Sequence, residues 1–204
     1  MPLPQATSFS SVAEYLAFER QAECRHEYLD GQIYALAGES LEHSAINANV
    51  MIRLGVQLEG KPCRVLSPNM KVRTATEGLY AYPDVSLVCG DPRVHDERRD
   101  ILINPTVIIE ILSPSTEAYD RGEKFLRYRQ IETLRDYVPI GQSQPLIEHY
   151  ERQPDESWVY LAVNDLAGTV SIASIECSLR LIDVYDRITF PAVTPAPAAD
   201  TLKG

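Results

Sequence analysis

The amino-acid sequence predicts a mixed α/β domain in which helices flank a central mixed β-sheet. Two observations carry this prediction. The predicted elements follow one another as helix, hairpin, helix, strands, helix and strands, an order typical of helices packed on a sheet. The run TVIIEIL (106–112) is continuous and β-branched, as in a strand covered on both faces. A chain of 204 residues, at roughly 150 residues per domain, is one domain or one domain with extensions.

The N-terminal segment predicts a helix followed by a hairpin. Ser11 and Glu14 have the spacing of a capping box, which satisfies free backbone N–H groups where a helix begins, so we predict a helix over 11–23. Asp30 and Gly31 then separate two apolar-containing runs. This dipeptide favours a two-residue hairpin turn, because both of its central residues need positive φ.

A second helix is predicted over 40–58, with Ser40 as its N-cap. Its apolar face consists of Ile46, Val50 and Leu54, which recur at helical spacing. The next segments, CRVLS and KVRTAT, alternate like half-buried strands. Pro83 opens the apolar run YPDVSLVCG, at a position where its missing N–H falls outside the ladder.

The strand at 106–112 ends at the break SPST, and a third helix is predicted from Asp120 to about Thr133. Asp120 is the candidate N-cap and Glu123 the reciprocating acid. Further strands are predicted at DYVPI, LIEHYE, SWVYLAV and TVSIAS, with a closing helical turn at LIDVYDRI. The residues 191–204 are rich in alanine and proline, which predicts a disordered tail.

Composition narrows the class of protein. Hydrophobic residues at 45% and charged residues at 24% are the ordinary globular mix and exclude wholesale disorder. No apolar run approaches the ~20 residues that span a bilayer, and no secretory signal is visible at the start. We therefore expect a cytoplasmic protein without a membrane partner. The formal net charge of -10 argues against a nucleic-acid partner, because like charge repels a phosphate backbone.

The cysteines predict reduced thiols. Cys24, Cys63, Cys89 and Cys177 form no C-x-x-C pair, whereas a zinc site or a disulfide framework needs closer or patterned spacing. We therefore expect four reduced, buried thiols, as is usual in the cytoplasm. The four histidines are equally scattered, with no H-x-x-x-H pair.

Two acids occupy unusual positions in apolar strands. Asp84 lies at the start of one apolar strand and Glu110 inside the next. A carboxylate buried there is costly unless it is paired, hydrogen-bonded or bound to a cation. Two carboxylates on neighbouring strands suit Mg²⁺ or Mn²⁺, which prefer oxygen ligands. A basic residue beside such a metal assists its water or holds a scissile phosphate, and Lys124 is the candidate. We interpret Asp84, Glu110 and Lys124 as catalytic.

These residues resemble the pattern of a known family. Pro83-Asp84, followed by Glu110 in the next strand, resembles the PD-(D/E)XK nuclease superfamily. The segments EYLDGQIYALAGES, YPDVSLV and VIIEILSPSTEAYDRGEKFLRYRQIETLRDYVPI resemble the Uma-two family of restriction endonucleases over about residues 10–190. The resemblance implies a single restriction endonuclease-like domain over 1–190, Mg²⁺- or Mn²⁺-dependent cleavage of DNA, and a homodimer.

The resemblance also implies roles residue by residue. Asp84 and Glu110 become the metal ligands. The superfamily has a lysine two residues after the glutamate, where this chain has Leu112, and Lys124 is the lysine that the adjacent helix would supply instead. The superfamily often adds a third acid from an early helix, for which Glu42 is the candidate metal ligand. A solvated first-turn acid, favoured by the helix dipole, is an equally good interpretation of Glu42.

Ordinary structural roles compete with the catalytic ones. Asp84 is also typical of a strand-end cap, and Lys124 of a solvated ion pair on a helix face. His43 is better interpreted as an exposed helical histidine than as a phosphate ligand. Ser113 and Ser115 suggest a serine hydrolase with Lys124, but no G-x-S-x-G elbow surrounds either serine, as the fold of such enzymes requires.

Local charge reopens the question of a nucleic-acid partner. Residues 121–135 carry five basic and two acidic side chains with aromatic residues between them, a pattern typical of a phosphate-tracking face. Arginines on the solvated face of a helix are the competing interpretation, and a local patch governs contact more than the net sum. The residues predicted to bind nucleic acid are Arg121, Arg127, Lys71 and Arg73.

The leading hypothesis is therefore a metal-dependent endonuclease that hydrolyses DNA. Two alternatives stay open. Leu112 at the motif position and the acidic balance motivate a catalytically silent nuclease-fold module for binding or dimerisation. A metal-dependent hydrolase of a small phosphoester tolerates net negative charge more easily than a DNA-binding enzyme does.

Overall fold

The computed structural model describes residues 11–74 and 78–190 in full and residues 7–8 by their backbone. The tail predicted over 191–204 lies outside the described residues. The described strands form two six-stranded sheets and a two-stranded ribbon, and both larger sheets mix parallel with antiparallel pairs. The predicted α/β class, with mixed sheet flanked by helices, is confirmed, although the strands divide between two sheets and do not form one.

The elements have the following bounds. The strands up to residue 112 are β1 (Thr7–Ser8), β2 (His26–Leu29), β3 (Gln32–Ala35), β4 (Cys63–Leu66), β5 (Lys71–Arg73), β6 (Leu79–Ala81), β7 (Val85–Cys89), β8 (Ile101–Leu102) and β9 (Val107–Leu112). The later strands are β10 (Asp136–Gly141), β11 (Ile147–Arg152), β12 (Trp158–Val163), β13 (Thr169–Ile172) and β14 (Cys177–Arg180). The helices are α1 (Val12–Glu19), α2 (Leu41–Gln57), α3 (Glu117–Tyr119), α4 (Phe125–Tyr128) and α5 (Leu181–Val184), with a π-helical turn at Asp120–Lys124.

The two larger sheets have different strand orders. Sheet I joins β1, β3, β2, β6, β5 and β8 in that order, and sheet II joins β12, β11, β10, β9, β7 and β4. The predicted hairpin at Asp30-Gly31 connects β2 and β3, and both turn residues have positive φ, 45° and 89°. Short strands of two or three residues, β5, β6 and β8, complete sheet I.

Strand β9 separates two layers of the core. Side chains alternate between the faces of a strand, and Ile109 packs in the cluster that holds Val50 and Leu54 of α2. Ile108 packs on the opposite side, in the cluster that holds Phe125 and Tyr128 of α4. Glu110 shares the α4 face with Ile108, so the strand's one acid points toward the helical segment that carries Lys124.

The helix starts follow the predicted caps. Ser11 Oγ accepts from the Glu14 backbone N–H at 3.3 Å, and the Glu14 carboxylate accepts from the Ser11 N–H at 3.1 Å. Ser40 Oγ accepts from the His43 N–H at 3.1 Å. Helix α1 ends at Glu19, earlier than the predicted residue 23. None of the described helices is long and apolar enough to cross a bilayer.

The predicted N-cap at Asp120 was wrong. An N-cap has extended backbone, whereas Asp120 has φ -64° and ψ -43° inside a continuous helical segment, Glu117–Tyr128. This segment contains the π-helical turn and ends at Tyr128, before the predicted Thr133. The local spacing of Asp120 and Glu123 satisfied a capping pattern, but the helix begins three residues earlier.

The predicted set of reduced thiols was also wrong. Cys63 and Cys89 form a disulfide because β4 and β7 are antiparallel neighbours whose register places these two residues opposite each other. Their separation of 26 residues carries no signal in the sequence. Cys177 is a free, buried thiol as expected, while Cys24 is free but exposed.

Candidate active site

A cavity of about 470 Å³ opens between the β2–β3 hairpin, the start of α2 and the carboxyl end of β9. Acids outnumber bases among its charged lining residues. The carboxylates are Glu27, Glu39, Asp84, Glu110 and Asp120, and the permanently charged bases are Arg25 and Lys124. With five acids against two permanent cations, the cavity favours binding of a cation.

Asp84 is held at this cavity from two sides. It immediately precedes β7, and its Oδ2 accepts from the Ile111 backbone N–H at 2.7 Å. Its Oδ1 lies 2.8 Å from Nε2 of His43, while its backbone carbonyl accepts from Asn47 Nδ2 at 3.3 Å. Strand β9 and helix α2 therefore both fix the carboxylate, more tightly than a simple strand-end cap requires.

Glu110 lies in the interior of sheet II and is 4% exposed. Its Oε1 accepts from the Tyr128 hydroxyl at 3.0 Å and lies 3.0 Å from the Lys124 ammonium. Burial raises the pKa of Glu110 well above its usual range, and neighbouring Asp120, Asp84 and Glu27 add to this against the opposing charge of Lys124. Both contacts use Oε1.

Lys124 is buried among three carboxylates. Its ammonium lies 3.1 Å from Glu27 Oε1, 3.0 Å from Glu110 Oε1 and 3.5 Å from Asp120 Oδ1. Burial alone lowers the pKa of Lys124, but the Glu110 and Glu27 carboxylates outweigh it and raise the pKa well above its ordinary value. The Leu112 side chain is instead buried at 2% exposure. Lys124 is thus a buried cation and not the solvated ion pair of the competing interpretation.

The π-helical turn places Lys124 in the cavity. A π turn adds one residue to a helical turn and is frequent at functional sites. Here it spans Asp120–Lys124, and both end residues are buried. Tyr137 supports the turn, because its hydroxyl donates to the Asp120 carbonyl at 2.9 Å.

His43 is part of this site, contrary to the exposed helical histidine that we predicted. Its ring contacts Asp84, and one ligand atom from each of Glu39, His43 and Asp84 lies within 4.8 Å of the others. Burial alone lowers the pKa of His43, but hydrogen bonding to Asp84 and the charge of Glu39 raise it above its usual value. Helix phase was the available signal, since His43 precedes Ile46 and Val50 by three and seven residues.

Glu42 does not line the cavity. It lies half-buried in the first turn of α2, one residue before His43. One residue corresponds to about 100° of helix rotation, so the two side chains point in different directions. Glu39 of the preceding loop is the acid of α2 and this loop that lies close to His43 and Asp84.

Glu27 of β2 was missed by the sequence reasoning. It is 6% exposed, and its Oε1 also accepts from the Tyr82 backbone N–H at 3.2 Å. Alternation was the available signal, because Glu27 and the buried Leu29 lie on the same face of β2. Glu27 belongs to sheet I and Glu110 to sheet II, so Lys124 bridges the two sheets.

The residues predicted to bind nucleic acid do not form one exposed basic face. Arg121 pairs with Glu148 at 2.6 Å and Glu117 at 2.8 Å, and Arg127 makes a two-pronged contact with Asp30. The structure supports the competing interpretation here, in which arginines on a helix face make local ion pairs.

Lys71 and Arg73 also turn inward. Lys71 is 2% exposed, and its ammonium lies 5.0 Å from the Tyr15 ring centre and 5.2 Å from that of Tyr82. Arg73 Nη1 lies 2.9 Å from Nδ1 of His95. Both faces of β5 are covered at this point, since Lys71 and Val72 are both buried, and the phosphate contact of Lys71 stays a prediction.

The serine side chains near Lys124 do not make a nucleophile. Ser113 Oγ lies 2.9 Å from Ser115 Oγ and 3.0 Å from Thr116 Oγ1. The Lys124 ammonium is occupied by three carboxylates. A serine hydrolase needs a base that activates its hydroxyl, so the geometry does not favour that reading.

Mixed sheets flanked by helices, with carboxylates grouped around a buried lysine, define a protein of the nuclease-fold class. A family model described as "Uma2: Putative restriction endonuclease" matches residues 12–183. The chain belongs to this family, which is the Uma-two family of the sequence resemblance.

Two relatives are similar to this chain in sequence, and a solved structure is similar to it in fold. The chain is 34% identical over 180 residues to the uncharacterized protein slr1290 of Synechocystis sp., covering 88% of this chain and 93% of that protein. It is 31% identical over 159 residues to sll1609 of the same organism, covering 78% and 90%. The crystal structure of "a putative nuclease belonging to DUF820 from Anabaena variabilis" has a TM-score of 0.70 at 18% identity, covering 85% of this chain and 96% of that one.

Proposed function

We propose that this protein is a Mg²⁺- or Mn²⁺-dependent endonuclease that hydrolyses phosphodiester bonds of DNA. One observation carries the proposal: Asp84, Glu110 and Lys124 come from three separate segments and meet at one acidic cavity. Membership of a family described as restriction endonucleases supports it.

The donor atoms fit a hard divalent cation. Asp84 and Glu110 supply carboxylate oxygens, and both Lys124 and Tyr128 contact Glu110 through Oε1, which leaves Oε2 for an external ligand. Glu39 and His43 lie close enough to Asp84 to add an oxygen and a nitrogen, a set that Mn²⁺ accepts alongside Mg²⁺. When bound, the cation would supply Lewis acidity and lower the pKa of an attacking water.

The protein's own groups would position and stabilise the reacting phosphate. The Ile111 N–H and His43 orient Asp84, and Tyr128 orients Glu110. Lys124 keeps its proton because Glu110 and Glu27 raise its pKa. Its ammonium contacts three carboxylates, so it would act through its charge, without direct contact, to stabilise the charge developing on the phosphate, and not as a general base.

The test compares Glu110→Gln with Glu42→Gln in Mn²⁺-dependent nicking of a plasmid. Glu110→Gln should abolish nicking because the metal-binding charge is lost. The change also removes a partner of the buried Lys124 ammonium, so the circular dichroism spectrum at the assay temperature must show that the less stable variant is folded. Glu42→Gln, an equally conservative change outside the cavity, should retain activity. Equal activity in wild type and Glu110→Gln would remove this mechanism, and loss in Glu42→Gln would restore Glu42 as the third ligand. Mn²⁺ calorimetry with no carboxylate-dependent binding would favour the silent module.

A hydrolase of a small phosphoester is the second candidate. The observation that favours it is the inward pairing of the basic residues predicted to bind DNA. Comparing cleavage of duplex DNA, RNA and bis(p-nitrophenyl) phosphate at equal enzyme concentration separates the candidates. Cleavage of the small diester alone would favour this second candidate.

The proposal includes a homodimer, which the family resemblance implies. Two sites related by a twofold axis suit cleavage of both strands of a duplex. Sedimentation velocity of the purified protein tests this assembly, and a monomer at all concentrations would contradict it.

A further inference from the structure

Arg25 lines the same cavity as the candidate catalytic residues. It immediately precedes β2, and its carbonyl accepts from the Leu36 N–H at 2.9 Å. Its guanidinium lies over the Tyr82 ring, with Cζ 5.6 Å from the ring centre, and Nη1 donates to the Pro68 carbonyl at 2.7 Å. The side chain is thus held at the cavity by the Pro68 carbonyl and by an aromatic ring.

The two permanent cations of the cavity differ in what they have left to bind. Lys124 contacts three carboxylates within 3.5 Å and its side chain is 7% exposed. Arg25 is 33% exposed, and its nearest carboxylate, Glu39, is 3.7 Å from Nη2, beyond hydrogen-bond distance. A guanidinium carries five N–H donors, and the Pro68 contact uses one. Among the described cavity residues, Arg25 is therefore the cation with donors to spare.

An anionic substrate needs such a cation here. Five carboxylates line the cavity, and the negative field that attracts a metal repels a phosphodiester. A planar guanidinium matches two phosphate oxygens with paired N–H donors. Stacking on Tyr82 fixes the plane of the fork before substrate arrives, which limits the entropy lost on binding.

Glu39 connects this cation to the proposed metal site. Its carboxylate lies 3.7 Å from Arg25 Nη2, and it also belongs to the group formed with His43 and Asp84. A cation bound by that group attracts Glu39 and weakens its hold on Arg25. Binding of the cation and of a phosphate are therefore expected to favour each other.

We propose that Arg25 binds the substrate phosphate in this cavity and that Glu39 is shared between Arg25 and the metal. The proposal rests on the proposed function for the presence of a phosphodiester substrate. The proposal assigns substrate contact to Arg25, which was not among the residues that the sequence predicted to bind nucleic acid.

The test measures binding apart from cleavage. A fluorescein-labelled 12-nucleotide single-stranded DNA is titrated with protein in Ca²⁺, which also prefers oxygen ligands, and anisotropy gives Kd. Arg25→Ala should raise Kd at least about tenfold, because a charge-assisted two-pronged contact is lost. Arg25→Lys should recover only part of the affinity, because an ammonium lacks the fork. Arg180→Ala is the matched control, since Arg180 pairs with Asp183 outside the cavity, and its Kd should stay within about twofold.

Folding and metal binding are read in the same variants. Mn²⁺ affinity by calorimetry should be unchanged or tighter in Arg25→Ala and weaker in Glu39→Gln. Arg25→Lys keeps a donor for Pro68 and a charge over Tyr82, so its thermal midpoint should match wild type. If both Arg25 variants lost binding only in parallel with the thermal midpoint, Arg25 would be structural and the proposal overturned.

Two outcomes separate this proposal from the endonuclease itself. Binding of the oligonucleotide through Arg25 without Mn²⁺-dependent cleavage would contradict the endonuclease and support the role of Arg25. Wild-type affinity in Arg25→Ala, or no binding by wild type, would overturn the role of Arg25 whatever the cleavage assay gives.

Discussion

At the residue scale, the chemistry of Glu110 depends on the tyrosine beside it. A buried carboxylate is costly unless its oxygens are hydrogen-bonded, and Tyr128 supplies the neutral donor while Lys124 supplies the charged one. Tyr128 is itself fully buried, in the hydrophobic cluster that also holds Phe125 and Tyr137. Tyr128 contacts Glu110 but does not itself line the cavity. We therefore assign it a positioning role.

Tyr128→Phe tests that role. We expect Mn²⁺-dependent cleavage to fall about tenfold, because the carboxylate loses one of two donors. The Mn²⁺ concentration for half-maximal activity should rise as well, which a purely structural defect would not cause. Tyr160→Phe removes a comparable contact, from its hydroxyl to Glu148 at 2.9 Å, away from the cavity, and should leave both values unchanged. Equal metal dependence in the two variants would remove the positioning role.

The sequence indicated part of the site at this scale. Asp84 and Glu110 stood out because an acid in an apolar strand needs a partner. Glu27 and His43 did not, since each lies in an ordinary polar context and its inward direction depends on strand or helix phase. Arg25 carried no signal, because its place at the cavity results from the pairing of β2 with β3 and from the turn at Pro68.

At the element scale, helix α1 is tied to the loop before β8 by one arginine. Arg20 follows the helix, and its guanidinium contacts Asp100 at 2.9 Å through both Nε and Nη2. Asp96 adds a contact at 2.6 Å. The hydrogen bond to Arg20 holds the pKa of Asp100 below its ordinary value.

Asp100→Asn should therefore destabilise the protein in a pH-dependent way. A lowered folded-state pKa contributes stability above the unfolded pKa, and this is lost as pH falls through the folded pKa. The variant should be less stable by under about 1 kcal/mol at pH 7, since the pair is partly exposed. The difference should vanish well below about pH 4, the unfolded pKa. Urea unfolding at pH 7 and pH 3 measures it, with Glu97→Gln, an exposed acid of the same loop, as control. A constant difference would contradict the ion pair.

Elements were predicted best where their signals are local. The caps at Ser11 and Ser40 and the turn at Asp30-Gly31 satisfy backbone groups within a few residues, and each was found as predicted. The short strands β6 and β8 were missed because pairing with distant strands defines them. The π-helical turn was missed because its extra residue depends on the contacts of Lys124 and Tyr137.

At the scale of the whole molecule, the disulfide fastens the edge strand β4 of sheet II to its inner neighbour β7. It links β4 to β7, and β7 continues from Asp84. A loop of 26 residues is closed, which constrains the unfolded chain.

The Cys63→Ala/Cys89→Ala variant should lose about 3–4 kcal/mol of unfolding free energy, the loop-closure value for this length. Dithiothreitol should produce a similar loss in wild type. Urea unfolding measures both, and Cys24→Ser, an exposed free thiol, is the control. An unchanged midpoint under reducing conditions would show that the link does not contribute.

Net charge at this scale predicts a weak dependence of DNA binding on salt. The charge is -10, and the basic residues of the helical segment are paired with acids. We expect the plot of log affinity against log NaCl concentration to have a slope of magnitude about 1–2, because each neutralised phosphate contributes about 0.7–0.9. Anisotropy titrations between roughly 50 and 300 mM NaCl give this slope, because affinity changes measurably with salt in this range. A magnitude above about 5 would mean that a broad basic face is used.

Lys124 bridges Glu27 of sheet I and Glu110 of sheet II. This bridge limits which substitutions members of the family can accept. Removing one partner of a buried charge cluster costs about 3–5 kcal/mol, a large part of the stability of a typical domain. A lineage that no longer needs catalysis would lose much of its stability by mutating Lys124, whereas the Asp84 and His43 side chains are more exposed and changing them costs less. We therefore expect inactive relatives of this protein to keep Lys124 and to lose Asp84. The lysine would then mark common descent, and the aspartate would mark activity.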